Sequence, residues 1–378
     1  MTSTSPLEGI RVLGLEQSVA GPLCTRILAD MGATVLKVER PDGDFSRGWD
    51  TNAKGESAQF WWLNRRKRSI ALDLSTDAAR EHLSSLLEVA DVVVHNMSPR
   101  AAVRLGLDGP TITAAYPRLI SCQISGYGAA TSLRDRKAYD MLIQAESGVM
   151  SLTGTEERPG RVGVSIADVS SGMYAATCVL GALVERSKTG RGRAIDVSML
   201  DVMSEFAGPM LLSYVNAGVL YPRMLDQHHA IAPYGVFTTA DDKSILIACH
   251  QDGEWALLCS RLLDQPELIG DVRFAVNTAR VAHRAEVSAV MQAAVERYTL
   301  ADIVELLDEI GIAQATVNDI AGLAAHPGIV ERDVLTDVES LDGATVTTLR
   351  GLTERVFQTP LSGRVRPPAI GEDPHGFA

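Results

Sequence analysis

Aromatic residues make up only 5% of the 378-residue chain, and its five cysteines (Cys24, Cys122, Cys178, Cys249 and Cys259) are scattered in apolar surroundings. No two of them stand at metal-ligand spacing, so neither a zinc site nor a disulfide framework is implied; buried free thiols are expected. Positive charge is short as well: 35 lysines and arginines against 47 acids leave a formal net charge of −12. That balance argues against a nucleic-acid partner, because phosphate backbones are bound by basic surfaces. No apolar run approaches the length of a bilayer crossing, and Met1 to Pro6 is a short polar tail without the charged and apolar regions of a signal peptide. A cytoplasmic protein with no membrane partner is expected. Internal repeats and low-complexity tracts are missing too, which excludes solenoids and disordered arrays.

What is present is an aliphatic-rich chain of 46% hydrophobic residues and mean hydropathy +0.06, as in ordinary globular proteins. The length suggests two lobes. Ile10 to Leu15 reads as a buried strand, Gly21-Pro22 opens an apolar-periodic helix from Leu23 to Met31, and Thr34 to Glu39 is a second strand. Such a βαβ unit implies a parallel sheet covered by helices. Its turn lacks G-x-G-x-x-G, so no dinucleotide is indicated. The helix start remains suited to a phosphate, with Arg40 at the second strand's carboxyl end.

Gly43 to Trp49, and then Gly55 to Asn64, form a long polar and aromatic connection of the kind that is usually a binding loop. Arg65-Arg66-Lys67-Arg68 follows, either a solvated turn or a seat for phosphates. A further βαβ unit comprises strand Ser69 to Asp73, helix Thr76 to Val89 and strand Asp91 to His95, with Asn96 at the carboxyl end. Helix Ala101 to Leu107, strand Arg118 to Ile124 and a helix opened by Lys137-Ala138-Tyr139-Asp140 come next. After residue 194 the pattern gives a strand to Met199 and one helix from Leu200 to Asn216. Composition changes near residue 220: a hairpin of Tyr234 to Thr239 and Ser244 to Cys249 precedes helices Gly253 to Leu263, Arg280 to Tyr298 and Ala301 to Ile310. Strand-like alternation returns from Asp333 to Thr359, and Pro360 to Ala378 reads as an extended tail. The expected domains are 1–220, a large parallel-sheet domain; 221–330, a small α+β domain; and 331–378, a segment returning to the first.

One carboxylate stands out. Asp168 follows the β-branched run Val162 to Ile166 and precedes Ser170-Ser171-Gly172 and a long apolar-periodic segment. It should sit at a strand-to-helix junction, where unpaired N–H groups and a partial positive charge can hold a carboxylate toward a ligand. Capping the helix is the plainer alternative.

Taken together, residues 7–44, NRRKRSIALDL, ADVVVHNMSP with RLGL, SGYG, KAYD, the Asp168 segment and TGRGRAIDVSMLD resemble the family III CoA-transferases, the group that includes formyl-CoA transferase and 2-methylacyl-CoA racemase. The resemblance spans nearly the whole chain. It implies a Rossmann-like large domain with a small α+β domain, and two subunits interlocked as a homodimer. Coenzyme A thioesters are then substrates, a free carboxylic acid is the second partner, and no cofactor or metal is needed. Carried over by position, Asp168 is the catalytic aspartate, and Gln17, Ser18, Ala20, Arg40, Leu72, Asn96, Arg104 and Lys137 form the CoA site. The family's lysine near Leu72 is matched by Ser75, so Arg65, Arg66 or Lys67 are candidates to replace it.

The implied chemistry is transfer of CoA through an aspartyl-CoA thioester. Backbone N–H groups of the Gln17 to Ala20 turn, or the Tyr139 hydroxyl, are candidates for stabilising the oxyanion. The racemase branch has a histidine where this chain has Tyr139, a poor base at neutral pH, and near that branch's supporting glutamate this chain has His250-Gln251-Asp252; racemisation is the disfavoured alternative. A CoA-binding partner subunit without turnover is a non-enzymatic alternative. Formyl-CoA transferase's tyrosine and glycine-rich loop are not matched: Gln59 stands at the place of the first, residues 227–234 lie near the second, and a mobile glycine loop is not evident. There His228 and His229, with Arg47 or Arg223, are candidates to hold the far carboxylate of a dicarboxylic acid such as succinate.

Overall fold

The computed structural model describes residues 5–358 and 364–377. They form two compact units: Met1–Met150, Arg161–Gly218 and Pro327–Ala378 in the first, Ser151–Gly160 and Val219–His326 in the second.

The first unit is built on six strands, β1 (Arg11–Leu15), β2 (Thr34–Glu39), β3 (Arg68–Ala71), β4 (Val92–His95), β5 (Ile120–Ser125) and β6 (Ala194–Ser198). They lie in the order β3-β2-β1-β4-β5-β6, every pair parallel. Helices α1 (Ala20–Asp30), α2 (Ala58–Asn64), α3 (Asp77–Val89), α4 (Pro99–Arg104), α5 (Gly109–Ala115), α6 (Asp140–Glu146), α7 (Val149–Leu152), α8 (Ile166–Thr189), α9 (Met199–Phe206) and α10 (Gly208–Ala217) accompany them. Alternate residues of the central strands point to opposite faces. Val12, Val35, Val92, Val94 and Cys122 meet α1, α8 and α9 in one core, whereas Leu13, Leu36, Val93 and Ile70 meet α3, α4 and α5 in the other. The α/β expectation therefore holds as a parallel sheet with a helical layer on each side.

The second unit carries the antiparallel sheet β7 (Tyr234–Thr238), β8 (Ser244–Ala248) and β9 (Ala313–Thr316) with its own core around Trp255, Met291 and Ile303.

Several expectations are corrected. The run Val162 to Ile166 forms no strand; the helix starts earlier, at Ile166, which puts Asp168 inside its first turn. The helix expected over 200–216 breaks at Gly208-Pro209, where the proline sits in the first turn of α10 and lacks the N–H a continuous helix would need. The helix expected over 280–298 divides at His283. From 333 onward the chain makes a hairpin, β10 (Leu335–Glu339) with β11 (Thr345–Leu349), then a helix over Leu352–Phe357. Residues 359–363 of the expected strand and tail lie outside the described residues. Past them, Asp373 and Gly371 bond to Ser69, so the tail borders the edge strand β3. Cys178 is exposed, unlike the other four cysteines. Helix α8 is also long and apolar enough to cross a bilayer by length and composition, contrary to the expected absence of such a run. Here it packs as a core helix on α1 and α9.

The contact between α1 and α8 fixes the site. A Cβ at Gly172 would stand 2.6 Å from the Ala20 carbonyl oxygen and 3.0 Å from Leu23 Cβ, so only glycine lets the helices approach this closely. Gly172 is one turn beyond Asp168 on the same face. Substituting Gly172→Val is expected to force the helices apart and cost about 1–3 kcal/mol of stability. Urea denaturation checks this; an unchanged midpoint would contradict the close packing.

Candidate active site

Between β1 and β4 the direction of successive connections reverses, and open α/β sheets bind ligands in the crevice this leaves at the strands' carboxyl ends. A cleft of about 1050 Å³ lies there. Gln17, Arg40, Leu72, Asn96 and Arg104 of the expected CoA site line it, as does Ser75. Ser18, Ala20 and Lys137 are outside that lining. Ser18 makes the corner of the β1–α1 turn at φ 66°, Ala20 is buried at the start of α1, and Lys137 is exposed before α6.

The turn is held from below. Glu16 is 4% exposed, and its carboxylate accepts from Thr25 at 2.8 Å and Lys67 at 2.9 Å while pairing with Lys37. Lys37 reaches on to Asp44 at 2.9 Å, and Lys67 to Asn64 at 2.8 Å and the Pro22 carbonyl at 3.0 Å. Two cations thus face two anions in a dry interior. Burial pushes the Lys67 ammonium down to about 8 despite Glu16. On Lys37 burial acts the same way, but Glu16, Asp44 and Glu39 together outweigh it and raise the pKa. From above, Asn96 accepts from the Gln17 N–H at 3.0 Å and donates to the Gln17 carbonyl at 2.8 Å. The Gln17 amide is therefore occupied and drops out as an oxyanion donor. The first amides of α1 beyond it receive no side-chain cap.

This arrangement corrects the basic cluster. Arg65 and Lys67 are fully buried, and Arg65 bonds Asp30 at 2.7 Å and Glu354 at 2.6 Å. The Arg66 side chain is 8% exposed beside the same Glu354. The first three residues of the cluster are neither a solvated turn nor a phosphate seat, because buried acids far away in sequence pair with Arg65, Arg66 and Lys67, while Arg68 donates to the Gly376 carbonyl. Arg80 was not anticipated, yet it lines the cleft. It donates to the Leu74 and Ser75 carbonyls at 3.0 and 2.8 Å, beside the serine that replaces the expected lysine. Its place in the first turn of the helix after β3 was the available signal. Arg47 is held by Glu39 at 2.9 and 2.6 Å and covers the Phe60 ring at 3.9 Å; it belongs to the frame under the cleft and leaves the acceptor set.

Asp168 is half-buried in the first turn of α8. No hydrogen bond reaches its carboxylate among the described residues. Its own amide and that of Ala167 donate to Asp140 Oδ1 at 3.2 and 2.8 Å. Burial and then the Asp140 charge push the Asp168 carboxyl up to about 7. A partnerless carboxylate with raised proton affinity suits a nucleophile or base. Tyr139 precedes Asp140 as N-cap of α6 and is 68% exposed.

In the second unit, five rings run in contact. Tyr221 meets His229 at 5.0 Å, His229 stacks on His228 at 4.7 Å, His228 on Tyr234 at 5.1 Å, and Tyr234 meets His250 at 5.4 Å. His228 Nδ1 accepts from the Ala230 N–H at 3.2 Å, which leaves Nε2 as the N–H donor. Burial, then His229, His250 and Arg284, lowers its pKa, so it offers a neutral donor. Arg223 is engaged by the Thr155 and Glu156 carbonyls.

The sequence profile of CoA-transferase family III matches residues 7–374. The succinate–glutarate CoA-transferase of Agrobacterium fabrum is 34% identical over 377 residues, covering 97% of this chain and 93% of that protein. The succinyl-CoA:mesaconate CoA-transferase of Haloarcula hispanica is 33% identical over 379 residues, covering 97% and 94%. Among solved structures, a CAIB/BAIF family protein from Brucella suis superposes with TM-score 0.84 at 34% identity, covering 98% of each chain.

A carboxyl whose native pKa lies above its unfolded value binds its proton more tightly in the fold. Stability is therefore lost as pH rises from about 4 to 7, and the cost is complete above 7. Asp168→Asn is expected to raise Tm by a few degrees at pH 8 and by only about a third as much at pH 5, where the wild type has incurred that fraction of the cost. Calorimetry at both pH values checks this; equal shifts would contradict the raised affinity.

Proposed function

The chain belongs to CoA-transferase family III and is an acyl-CoA:carboxylate CoA-transferase; from that premise we propose that it moves CoA from succinyl-CoA to a second dicarboxylic acid through a thioester on Asp168. The carrying observation is the partnerless, half-buried Asp168 carboxylate, one helical turn from the tight contact of α8 with the start of α1. The relatives' names pair succinate or succinyl-CoA with glutarate or mesaconate, which supports dicarboxylates at both ends. Those relatives do not favour the racemase alternative.

In the proposed sequence an Asp168 oxygen attacks the thioester carbonyl. The carbon–sulfur bond breaks, CoA leaves as thiolate, and a mixed anhydride remains. The thiolate then attacks the Asp168 carbonyl carbon and expels the donor acid as its carboxylate, leaving aspartyl-CoA. The acceptor carboxylate repeats both steps in reverse order, so neither water nor a proton is consumed. Each tetrahedral oxyanion needs donors; the uncapped amides of α1 and the Tyr139 hydroxyl are the proposed ones. CoA occupies the cleft between β1 and β4, its phosphates met by Arg40, Arg80 and Arg104. In the second unit, His228 Nε2 and His229 are the proposed donors to a carboxylate.

A homodimer is part of the same proposal. Helix α10 buries none of its residues, and Leu211, Leu212, Tyr214 and Val215 are 47–64% exposed, an apolar surface that a second copy would cover.

Purified protein mixed with succinyl-CoA and a panel of free acids is expected to give new acyl-CoA species by mass spectrometry, and none with Asp168→Ala. Wild-type kcat/KM is expected to fall about tenfold per pH unit below about 7, where Asp168 becomes protonated. Transfer that survives Asp168→Ala would sink the mechanism. His228→Ala with His229→Ala is expected to raise KM for dicarboxylates by about 10-fold or more and to spare monocarboxylates; equal losses on both acids would remove the histidines from the acceptor site.

A further inference from the structure

The 24-residue helix α8 starts without a cap of its own, since the Ser165 side chain at its N-cap makes no capping bond. The cap comes from another helix. Asp140, the first residue of α6 and 9% exposed, turns Oδ1 to the amides of Ala167 and Asp168. Its Oδ2 accepts from Gln144 Nε2 at 2.7 Å. Gln144, fully buried, accepts with its own Oε1 from the Val162 N–H at 2.9 Å. One continuous chain of bonds thus joins α6, the segment leading into α8 and the first turn of α8 itself.

A helix start ordinarily stabilises a nearby carboxylate through its free amides and dipole. Here those amides are already satisfied by a different carboxylate, and the charge beside Asp168 is of its own sign. We propose that Asp140 is a positioning residue that keeps Asp168 reactive: it takes up the helix-start amides so that they do not solvate Asp168, and it sets a like charge beside it. This rests on the reading of Asp168 as nucleophile.

The physical reason is the leaving group. A carboxylate of ordinary basicity is a poor attacker on a thioester because the CoA thiolate it must expel is far more basic; raising the attacker's basicity narrows that gap. Among the described residues, the elements packed on α8 near Asp168 supply no competing charge. α1 presents Ala20 and Leu23, α9 presents Met203 beside Ser170, and α6 presents Asp140 with the exposed Tyr139 next to it. The Asp168 shift accordingly has only burial and Asp140 behind it.

Asp140→Asn tests this, because asparagine caps helices about as well as aspartate while removing the charge. The acid limb of kcat/KM is expected to move down by about one pH unit, with the high-pH plateau of kcat falling about 10-fold and KM for succinyl-CoA held within about 2-fold. An unmoved limb with a lowered Tm would reduce Asp140 to a cap and overturn the proposal.

The side-chain amide introduced by Asp140→Asn turns an N–H toward Gln144 Nε2, itself a donor, so the single variant loses that bond. Asp140→Asn with Gln144→Glu restores donor-to-acceptor matching toward position 140 and the Val162 N–H, gives up the long 3.4 Å bond from Gln144 Nε2 to the Val164 carbonyl, and places the charge one side chain farther off. In the double variant, Tm is expected to recover and the limb to stay below that of the wild type; a limb that recovers together with Tm would also overturn the proposal. Asp168→Ala in the same assay separates the two claims: residual transfer there condemns the nucleophile itself, whereas a dead Asp168→Ala with an unmoved Asp140→Asn limb condemns only the role of Asp140.

Discussion

The buried pairing of Glu16 with Lys37 and Lys67 is the constraint on which the cleft depends. Glu16 follows the last residue of β1, and its side chain turns into the interior, where it is fully buried. A lone carboxylate there would be untenable, and stripping one partner from such a group costs about 3–5 kcal/mol. Lys37 comes from β2 and Lys67 from the approach to β3, so the charge balance locks three neighbouring strands together. Gly21 follows from the same cluster: a Cβ there would stand 2.6 Å from that of Glu16. The β1–α1 turn is thereby rigid before any ligand arrives.

A second tension sits at the start of α8. The first turn of α8 carries Asp168 but gives its amides to Asp140, so Asp168 is left with burial and a neighbouring charge. Its ionised form is disfavoured by the fold, a cost that functional sites commonly carry. The frame beneath the cleft absorbs Arg47 and Arg65, whose guanidinium groups satisfy Glu39, Asp30 and Glu354. Cationic residues that look available in the chain are thus divided by the fold into those that neutralise buried acids and those, Arg40, Arg80 and Arg104, that line the cleft.

Much of the architecture was legible because the apolar periods are strong. The strand Thr34 to Glu39 and the helices around it follow directly from burial on two faces of a parallel sheet. Boundaries failed where local signals mislead. Val162 to Ile166 is β-branched but pairs with no strand, and serves as the approach to α8. The break at Gly208-Pro209 was present in the residues and was overridden by the surrounding apolar pattern. Asp168 was visible from its motif, whereas Asp140 was read only as part of a helix start. Nothing local says that a carboxylate on one helix will cap another.

By itself the sequence determined the α/β class, the parallel order of elements and the family, because these rest on periodicities and motifs carried by contiguous residues. The family resemblance also marked Gln17, Arg40, Leu72 and Asn96, at strand ends and turns, and Arg104, on the helix after β4, all of which line the cleft. Only the tertiary structure decided which charges are free. Arg65 and Lys67 lie in one run with Arg66 and Arg68, yet their partners are Asp30, Glu354 and Glu16, up to 289 residues away. Electrostatic pairing in a dry interior acts through space and is indifferent to chain separation, so the state of each charge was settled by packing.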